Sequence, residues 1–137
     1  MVPLPAQLER AKAFHSHLGP YLVVGLKMGQ IITRRLGQEP FSITITSFTG
    51  MKPPLSCVVD GLQLVTPCTV GNGGIVIREG GQVRVVAARG PRELEISLKP
   101  AIHEKIRAIE DTDRLEEIAL QLWKLEEWEL VDLRGEG

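Results

Sequence analysis

The sequence predicts a two-layer α+β domain, in which a mixed β-sheet of four to five strands is flanked by helices. Apolar residues recur at helical spacing near the N-terminus and again in the C-terminal third of the chain. Between these regions lie short runs of alternating or β-branched residues, bounded by glycine and proline. The predicted order of elements, α-α-β-α-β-β-β-α-α, therefore indicates helices packed on a sheet.

Length and composition indicate one domain that covers residues 1–137, with 43% hydrophobic residues to form a core without disulfides. A net charge of −1, from 16 basic and 17 acidic residues, gives no electrostatic reason to expect nucleic-acid binding. No apolar run approaches the roughly 20 residues of a membrane span, and the N-terminus lacks a secretory signal pattern. We therefore expect a cytoplasmic protein. Its two cysteines are then more typical of thiols, ligands or redox groups than of a disulfide.

Two helices are predicted at the start of the chain. The first ends near residues 15–17, because the Gly-Pro pair that follows cannot continue it comfortably. The second covers residues 20–36 and is apolar over most of its surface. Gly25 and Gly29 lie four residues apart on one side of it, where another backbone could come close. Such a helix needs burial on several sides, either in the core or against a second copy of the chain. We also expect a homodimer that buries part of this helix or its neighbours.

The middle of the chain alternates strand and helix patterns. Residues 41–48 alternate apolar and polar side chains, which predicts a strand. A short apolar helix is predicted over residues 58–66. Gly80 and Gly81 then separate two β-branched runs and give the strongest hairpin signal in the chain.

A further strand is predicted over residues 94–98, after a Gly-Pro turn, and the C-terminal third has helical periodicity. Residues 128–131 fit either a continuation of the last helix or a final edge strand. His103 lies on an isoleucine-striped helix among charged residues, and we expect it to be solvated.

The corner between the first two helices carries two of the three histidines, His15 and His17. Both could bind a metal ion, but side chains spaced two apart at a bend need not point the same way. A capping or surface pair is an equally ordinary interpretation.

Cys57 lies at or just before a predicted helix N-terminus, where unpaired N–H groups and the helix dipole favour a thiolate. We therefore expect a lowered pKa and a role as nucleophile or metal ligand, the alternative being a small buried hydrophobe. Asp60 and Gln63 share one face of the same helix. Asp60, one turn from Cys57, could orient a ligand or act as a general base, although an acidic first-turn residue also compensates the dipole.

Cys68 begins a glycine-rich loop, a setting that favours exposure. Eleven residues of straight helix rise by about 16 Å, so Cys57 and Cys68 are not expected to share one metal within a chain. A shorter helix, or a contribution from a second copy of the chain, would permit it. Gly71 to Gly74 resemble an anion cradle, but a strand follows instead of a helix, so a phosphate-loop assignment is weak.

Two segments, residues 14–21 (FHSHLGPY) and residues 57–73 (CVVDGLQLVTPCTVGNG), resemble the E-subunit family of formylmethanofuran dehydrogenase. That family has a Phe-His-Gly-His corner and a later Cys-x-x-Asp-Gly-x-Gln-x-x-Thr-Gly-Cys-Thr-x-Gly segment. The chain departs from this pattern at Ser16 and Pro67, where the family has glycine, and at Asn72, where lysine is common. No cysteine follows Cys68, so the chain is similar to the core form of the family without its C-terminal zinc finger.

The resemblance implies an α+β core, usually dimeric, with an active site that can hold zinc. Carried over by motif, the site positions are His15, His17, Cys57, Asp60, Gln63 and Cys68, of which His15, His17, Cys57 and Cys68 are the candidate metal ligands. Cys57 and Asp60 are the candidate catalytic residues, and oxidoreductase subunits are possible partners.

Three functions follow as hypotheses. The first is a zinc enzyme or accessory subunit linked to formylmethanofuran and molybdopterin one-carbon redox metabolism, which an open coordination position would favour. The second is a non-catalytic assembly module, which a closed four-ligand site would favour. The third is a thiol-redox protein, which a metal-free and readily alkylated Cys57 would favour.

Overall fold

The computed structural model describes residues 4–135, and within them the chain forms six helices and five strands. The helices are α1 (Ala6–His15), α2 (Pro20–Leu36), α3 (Cys57–Val65), α4 (Pro100–Arg107), α5 (Leu115–Lys124) and α6 (Glu127–Leu130). The strands are β1 (Thr44–Ser47), β2 (Ile75–Ile77), β3 (Arg84–Arg89), β4 (Arg92–Leu98) and β5 (Val131–Gly135). The predicted α+β class with a five-stranded mixed sheet is confirmed. Among the described residues, no helix is both long and apolar enough to cross a membrane.

The strand order is β2-β1-β3-β4-β5, in which β2 pairs parallel to β1 and every other pairing is antiparallel. The predicted hairpin at Gly80 and Gly81 is wrong, because β1 lies between the two strands that the hairpin would join. The chain instead passes around the end of β1. A Cβ on Gly80 would lie 2.7 Å from the carbonyl oxygen of Phe48, so glycine permits this close passage.

One face of the sheet forms the core. Ile45, Ala87 and Leu94 are fully buried and lie opposite one another across the neighbouring strands β1, β3 and β4. Val85 on β3 and Ile96 on β4 are also fully buried and lie opposite each other. Helix α2 contacts β3 and β4 on the core side and also packs on α3 and α5. The helical layer thus covers one face of the sheet, as a two-layer arrangement requires.

Helix α2 finds its burial inside the chain. A Cβ on Gly25 would lie 2.1 Å from the carbonyl oxygen of Val58, and one on Gly61 would lie 2.4 Å from that of Leu22. Gly29 faces the side chain of Val65. The α3 helix therefore occupies the Gly25 and Gly29 face, so burial in the core is the correct alternative for this face of α2.

Two strands, β1 and β5, differ from the sequence pattern in detail. Strand β1 is shorter than the predicted 41–48, because Phe41 adopts a positive φ of 61° in a turn and is 84% exposed. At the C-terminus, α6 ends at Leu130 and the chain continues as the edge strand β5, which pairs with β4. Neither alternative for residues 128–131 is right as stated, because residues 128–130 belong to the separate short helix α6 and only Val131 lies in the edge strand.

Candidate functional site

A largely apolar cavity of about 470 Å³ lies beside the α1–α2 corner, the start of α3 and the end of α4. Its polar lining consists of His15, His17, Tyr21, Cys57 and Arg107. Its apolar walls come from Pro20, Leu22, Pro54, Ile106, Ile109 and Leu115. A cavity of this size with few polar groups is typical of small-molecule sites.

The α1–α2 corner fixes the two histidines close together. Helix α1 ends at His15, and Ser16 takes a left-handed conformation with φ 83°, which turns the chain. Gly19 is extended and Pro20 starts α2, as the Gly-Pro pair predicts. The rings of His15 and His17 are stacked with their centroids 5.0 Å apart. His15 is partly buried, whereas His17 is exposed.

Asp60 holds His15 in place. Nδ1 of His15 lies 2.5 Å from Oδ2 of Asp60. Gln63 donates from Nε2 to Oδ1 of Asp60 at 3.3 Å, and its Oε1 accepts the N–H of Val70 at 2.9 Å. A carboxylate on one imidazole nitrogen fixes the ring orientation and leaves the other nitrogen for a ligand, as is usual for metal-binding histidines.

Cys57 is a half-buried free thiol at the first position of α3. Burial raises its pKa, and the nearby Asp60 carboxylate raises it further, while a backbone hydrogen bond opposes both. The predicted lowering of this pKa is therefore wrong. The start of α3 lies against the cavity instead of open water, so desolvation and the acidic neighbour outweigh the helix N-terminus.

Cys68 lies apart from the other predicted ligands. It is 2% exposed, and its Sγ donates to the carbonyl oxygen of Ile43 at 3.2 Å. It does not line the cavity that contains His15, His17 and Cys57. The glycine-rich loop thus buries this thiol instead of exposing it, and the structure does not bring the four candidate ligands together.

The loop after Cys68 satisfies its polar groups internally. Oδ1 of Asn72 accepts the N–H groups of Thr69 and Gly74, and its Nδ2 donates to the carbonyl oxygen of Pro67. The N–H of Asn72 donates to Oγ1 of Thr69 and that of Gly73 to the carbonyl oxygen of Val70. Three of the four N–H groups of residues 71–74 are therefore used within the loop and are not available to an anion. The loop acts as a fixed turn that supports Gln63 through Val70.

A second polar group, which was not predicted from the sequence, is formed by Tyr21, His103 and Arg107. His103 is only 8% exposed, so its predicted solvation is wrong. It contacts the Tyr21 hydroxyl at 3.0 Å and Arg107 at 3.1 Å. The i, i+4 spacing of His103 and Arg107 is the signal that could have indicated a shared helix face.

The side chains in the cavity fit zinc by chemical type, because imidazoles and a thiol are the usual protein ligands of that ion. The Asp60 contact also gives His15 the outer-shell partner that such ligands have. Within residues 4–135, no group of three or more His, Cys, Asp or Glu side chains is already gathered closely enough to hold a metal. Zinc binding therefore requires rotation of at least one side chain, and His17 is the exposed member of the stacked pair.

Comparison with known proteins gives a family match and two relatives. The FmdE family, described as "FmdE, Molybdenum formylmethanofuran dehydrogenase operon", matches residues 14–133. A probable S-adenosyl-L-methionine-binding protein of Archaeoglobus fulgidus is 30% identical over 84 residues, which are 60% of this chain and 23% of that protein. The chain thus spans about a quarter of that relative's length.

The fold also matches the crystal structure of a tungsten formylmethanofuran dehydrogenase FmdE-like protein from Syntrophus aciditrophicus. The TM-score is 0.69 at 20% sequence identity, and the match covers 93% of this chain and 68% of the other. At this identity the likeness establishes a shared fold.

Proposed function

Because the chain belongs to the FmdE family, which is linked to the formylmethanofuran dehydrogenase operon, we propose that it is a zinc-binding enzyme or accessory subunit of that one-carbon redox metabolism. One observation supports this proposal most. His15, His17 and Cys57 line a single cavity, and a carboxylate on Nδ1 orients His15. A carboxylate–histidine pair beside a thiol is an arrangement expected around zinc.

In this proposal His15, His17 and Cys57 hold the metal, with His17 turning toward the other two. Zinc bound there would supply a Lewis acid that polarises a carbonyl or activates water. Asp60 accepts from Nδ1 of His15, which keeps the ring oriented and leaves Nε2 as the nitrogen available to the metal. The apolar walls exclude water, which strengthens every polar contact inside the cavity.

The number of ligands favours an open site over a closed structural one. Three of the four predicted ligands line the cavity, and Cys68 is occupied with Ile43 elsewhere. Structural zinc sites are closed by four protein ligands, whereas catalytic sites keep one position for water or substrate. The non-catalytic assembly module is thus the second choice.

The thiol-redox alternative has less support. A raised pKa leaves less of the Cys57 thiolate that attacks disulfides. Cys68, the only other cysteine, is buried on the carbonyl of Ile43 and does not lie in the cavity.

We also propose that the protein forms a homodimer, works beside oxidoreductase subunits and resides in the cytoplasm. The dimer contact would use a surface other than the Gly25 and Gly29 face, which α3 covers. Light scattering over a wide concentration range tests the dimer, and a monomer mass throughout would refute it.

The metal content of the purified protein tests the proposal. Elemental analysis should find about one zinc per chain in the wild type and much less in His17→Ala and Cys57→Ser. Cys68→Ser is the matched control and should keep its zinc, because Cys68 lies outside the cavity. Equal metal in all four proteins, or none in the wild type, would contradict the proposal.

A further inference from the structure

The donor and acceptor of each hydrogen bond can be assigned in the group formed by Tyr21, His103 and Arg107, because an arginine side chain has no acceptor. The Arg107 guanidinium can only donate, so Nδ1 of His103 accepts at 3.1 Å. That acceptance makes the ring neutral with its proton on Nε2. Nε2 therefore donates to the Tyr21 hydroxyl oxygen at 3.0 Å.

This direction leaves the hydroxyl proton of Tyr21 without a described acceptor in the protein. The His103 contact is the sole side-chain hydrogen bond of the hydroxyl among residues 4–135, and in it the oxygen accepts. Tyr21 is 7% exposed and lines the cavity. A buried hydroxyl favours a partner for its donor. Tyr21 and Arg107 line the cavity and His103 does not, so a ligand that enters the cavity is the candidate acceptor.

Arg107 adds a positive charge to the same part of the cavity lining. Its guanidinium contacts His103 and lies 3.8 Å from the exposed Glu104. The acidic residue of the site, Asp60, is engaged by His15. Within residues 4–135, Arg107 is the one Lys or Arg side chain that lines the cavity and no Asp or Glu side chain lines it, so an anionic group in the cavity is attracted toward Arg107.

Resting on the proposed function of this cavity, we propose that Tyr21 and Arg107 bind the carboxylate of the natural ligand, an organic acid with an apolar body. The carboxylate accepts from the Tyr21 hydroxyl and from Arg107, while the apolar body packs on walls such as Ile106 and Leu115. The opposite end of the ligand then lies toward His15, His17 and Cys57. His103 acts as a positioning residue, because it fixes the donor direction of Tyr21.

The test uses the full chain with sodium octanoate and its neutral counterpart octanamide at neutral pH. Tyr21 is the single tyrosine, so protein labelled with ¹³C at the phenolic carbon of tyrosine gives one resonance from this hydroxyl. We expect octanoate to shift that resonance and to bind more tightly than octanamide. Tyr21→Phe and Arg107→Gln should each weaken octanoate binding roughly tenfold and change octanamide binding little.

Arg10→Gln removes an exposed arginine that does not line the cavity and serves as the matched control with unchanged binding. Equal binding of octanoate and octanamide to the wild type would overturn the inference. Wild-type octanoate binding in both variants would also overturn it. Zinc content separates this result from the proposed function, because Tyr21→Phe and Arg107→Gln should keep the metal that His17→Ala loses.

Discussion

Substitution of Gly25 by alanine tests how the α2–α3 contact holds the site together. The new Cβ would lie 2.1 Å from the carbonyl oxygen of Val58 and 3.0 Å from its Cα. Both are backbone atoms, so no flexible side chain can yield. Val58 follows Cys57 directly, so a shift of α3 at this point also moves the thiol and, one turn later, Asp60.

The magnitude follows from the size of the clash. Relief requires the helices to separate by roughly 1 Å, and a gap of that size forfeits about a quarter to a half of the dispersion attraction across it. Overpacked cores typically lose about 1–3 kcal/mol, and a backbone clash lies at or above the upper end. Alanine regains about 1 kcal/mol of helix propensity. We therefore expect a net loss of about 2–3 kcal/mol in the free energy of unfolding.

Urea unfolding measures this loss, and the midpoint should fall by about 1–2 M for a typical slope. Gly29→Ala is the matched control on the same helix, because its new Cβ meets the side chain of Val65 at 3.0 Å. Val65 is partly exposed at the end of α3 and its side chain can move aside. The free energy of unfolding of Gly29→Ala should therefore stay within about 1 kcal/mol of the wild-type value. A Gly25→Ala protein as stable as the wild type would refute the close α2–α3 packing.

Three further predictions concern the site and its surroundings. Asp60→Asn should weaken the zinc affinity roughly 10- to 100-fold, as measured by competition with a chelator, whereas substitution of the exposed Asp113 by Asn should leave it unchanged. Equal zinc affinities of the wild type and Asp60→Asn would refute the orienting role of Asp60. Burial, followed by the Arg107 charge, lowers the pKa of His103 below its ordinary 6.5. Just below pH 6.5 the unfolded chain therefore binds a proton that the folded chain does not, and the free energy of unfolding should fall as the pH drops. Urea titrations at several pH values should show this slope in the wild type and a flatter one in His103→Asn. The purified chain alone should not oxidise formyl donors with an artificial electron acceptor, because zinc is not redox-active and two cysteines cannot supply four ligands to an iron–sulfur cluster; turnover that Cys57→Ser abolishes would contradict this.

Local patterns predicted the helices well and the strand pairing poorly. Pro20 at the start of α2 and the apolar run after Cys57 gave both helices almost at their observed bounds. The Gly80-Gly81 signal described a real bend, but the partner of each flanking strand depends on β1, which lies far away in sequence. Strand order is a long-range property that no short window contains.

The candidate site shows the same division. The motif placed His15, His17, Cys57 and Asp60 near one another, and the His15–Asp60 contact joins residues 45 positions apart in the chain. Position in the helix alone gave the wrong direction for the Cys57 pKa, because burial and a neighbouring charge decide it.

The ligand shell of the bound metal tests the central claim most directly. X-ray absorption at the zinc edge, on protein purified without added metal, should show one sulfur at about 2.3 Å and nitrogen or oxygen neighbours at about 2.0–2.1 Å. Cys57→Ser should remove the sulfur signal, and Cys68→Ser should leave it unchanged. A shell without sulfur, a shell with two sulfurs, or a sulfur signal that Cys68→Ser removes would contradict a site built from His15, His17 and Cys57.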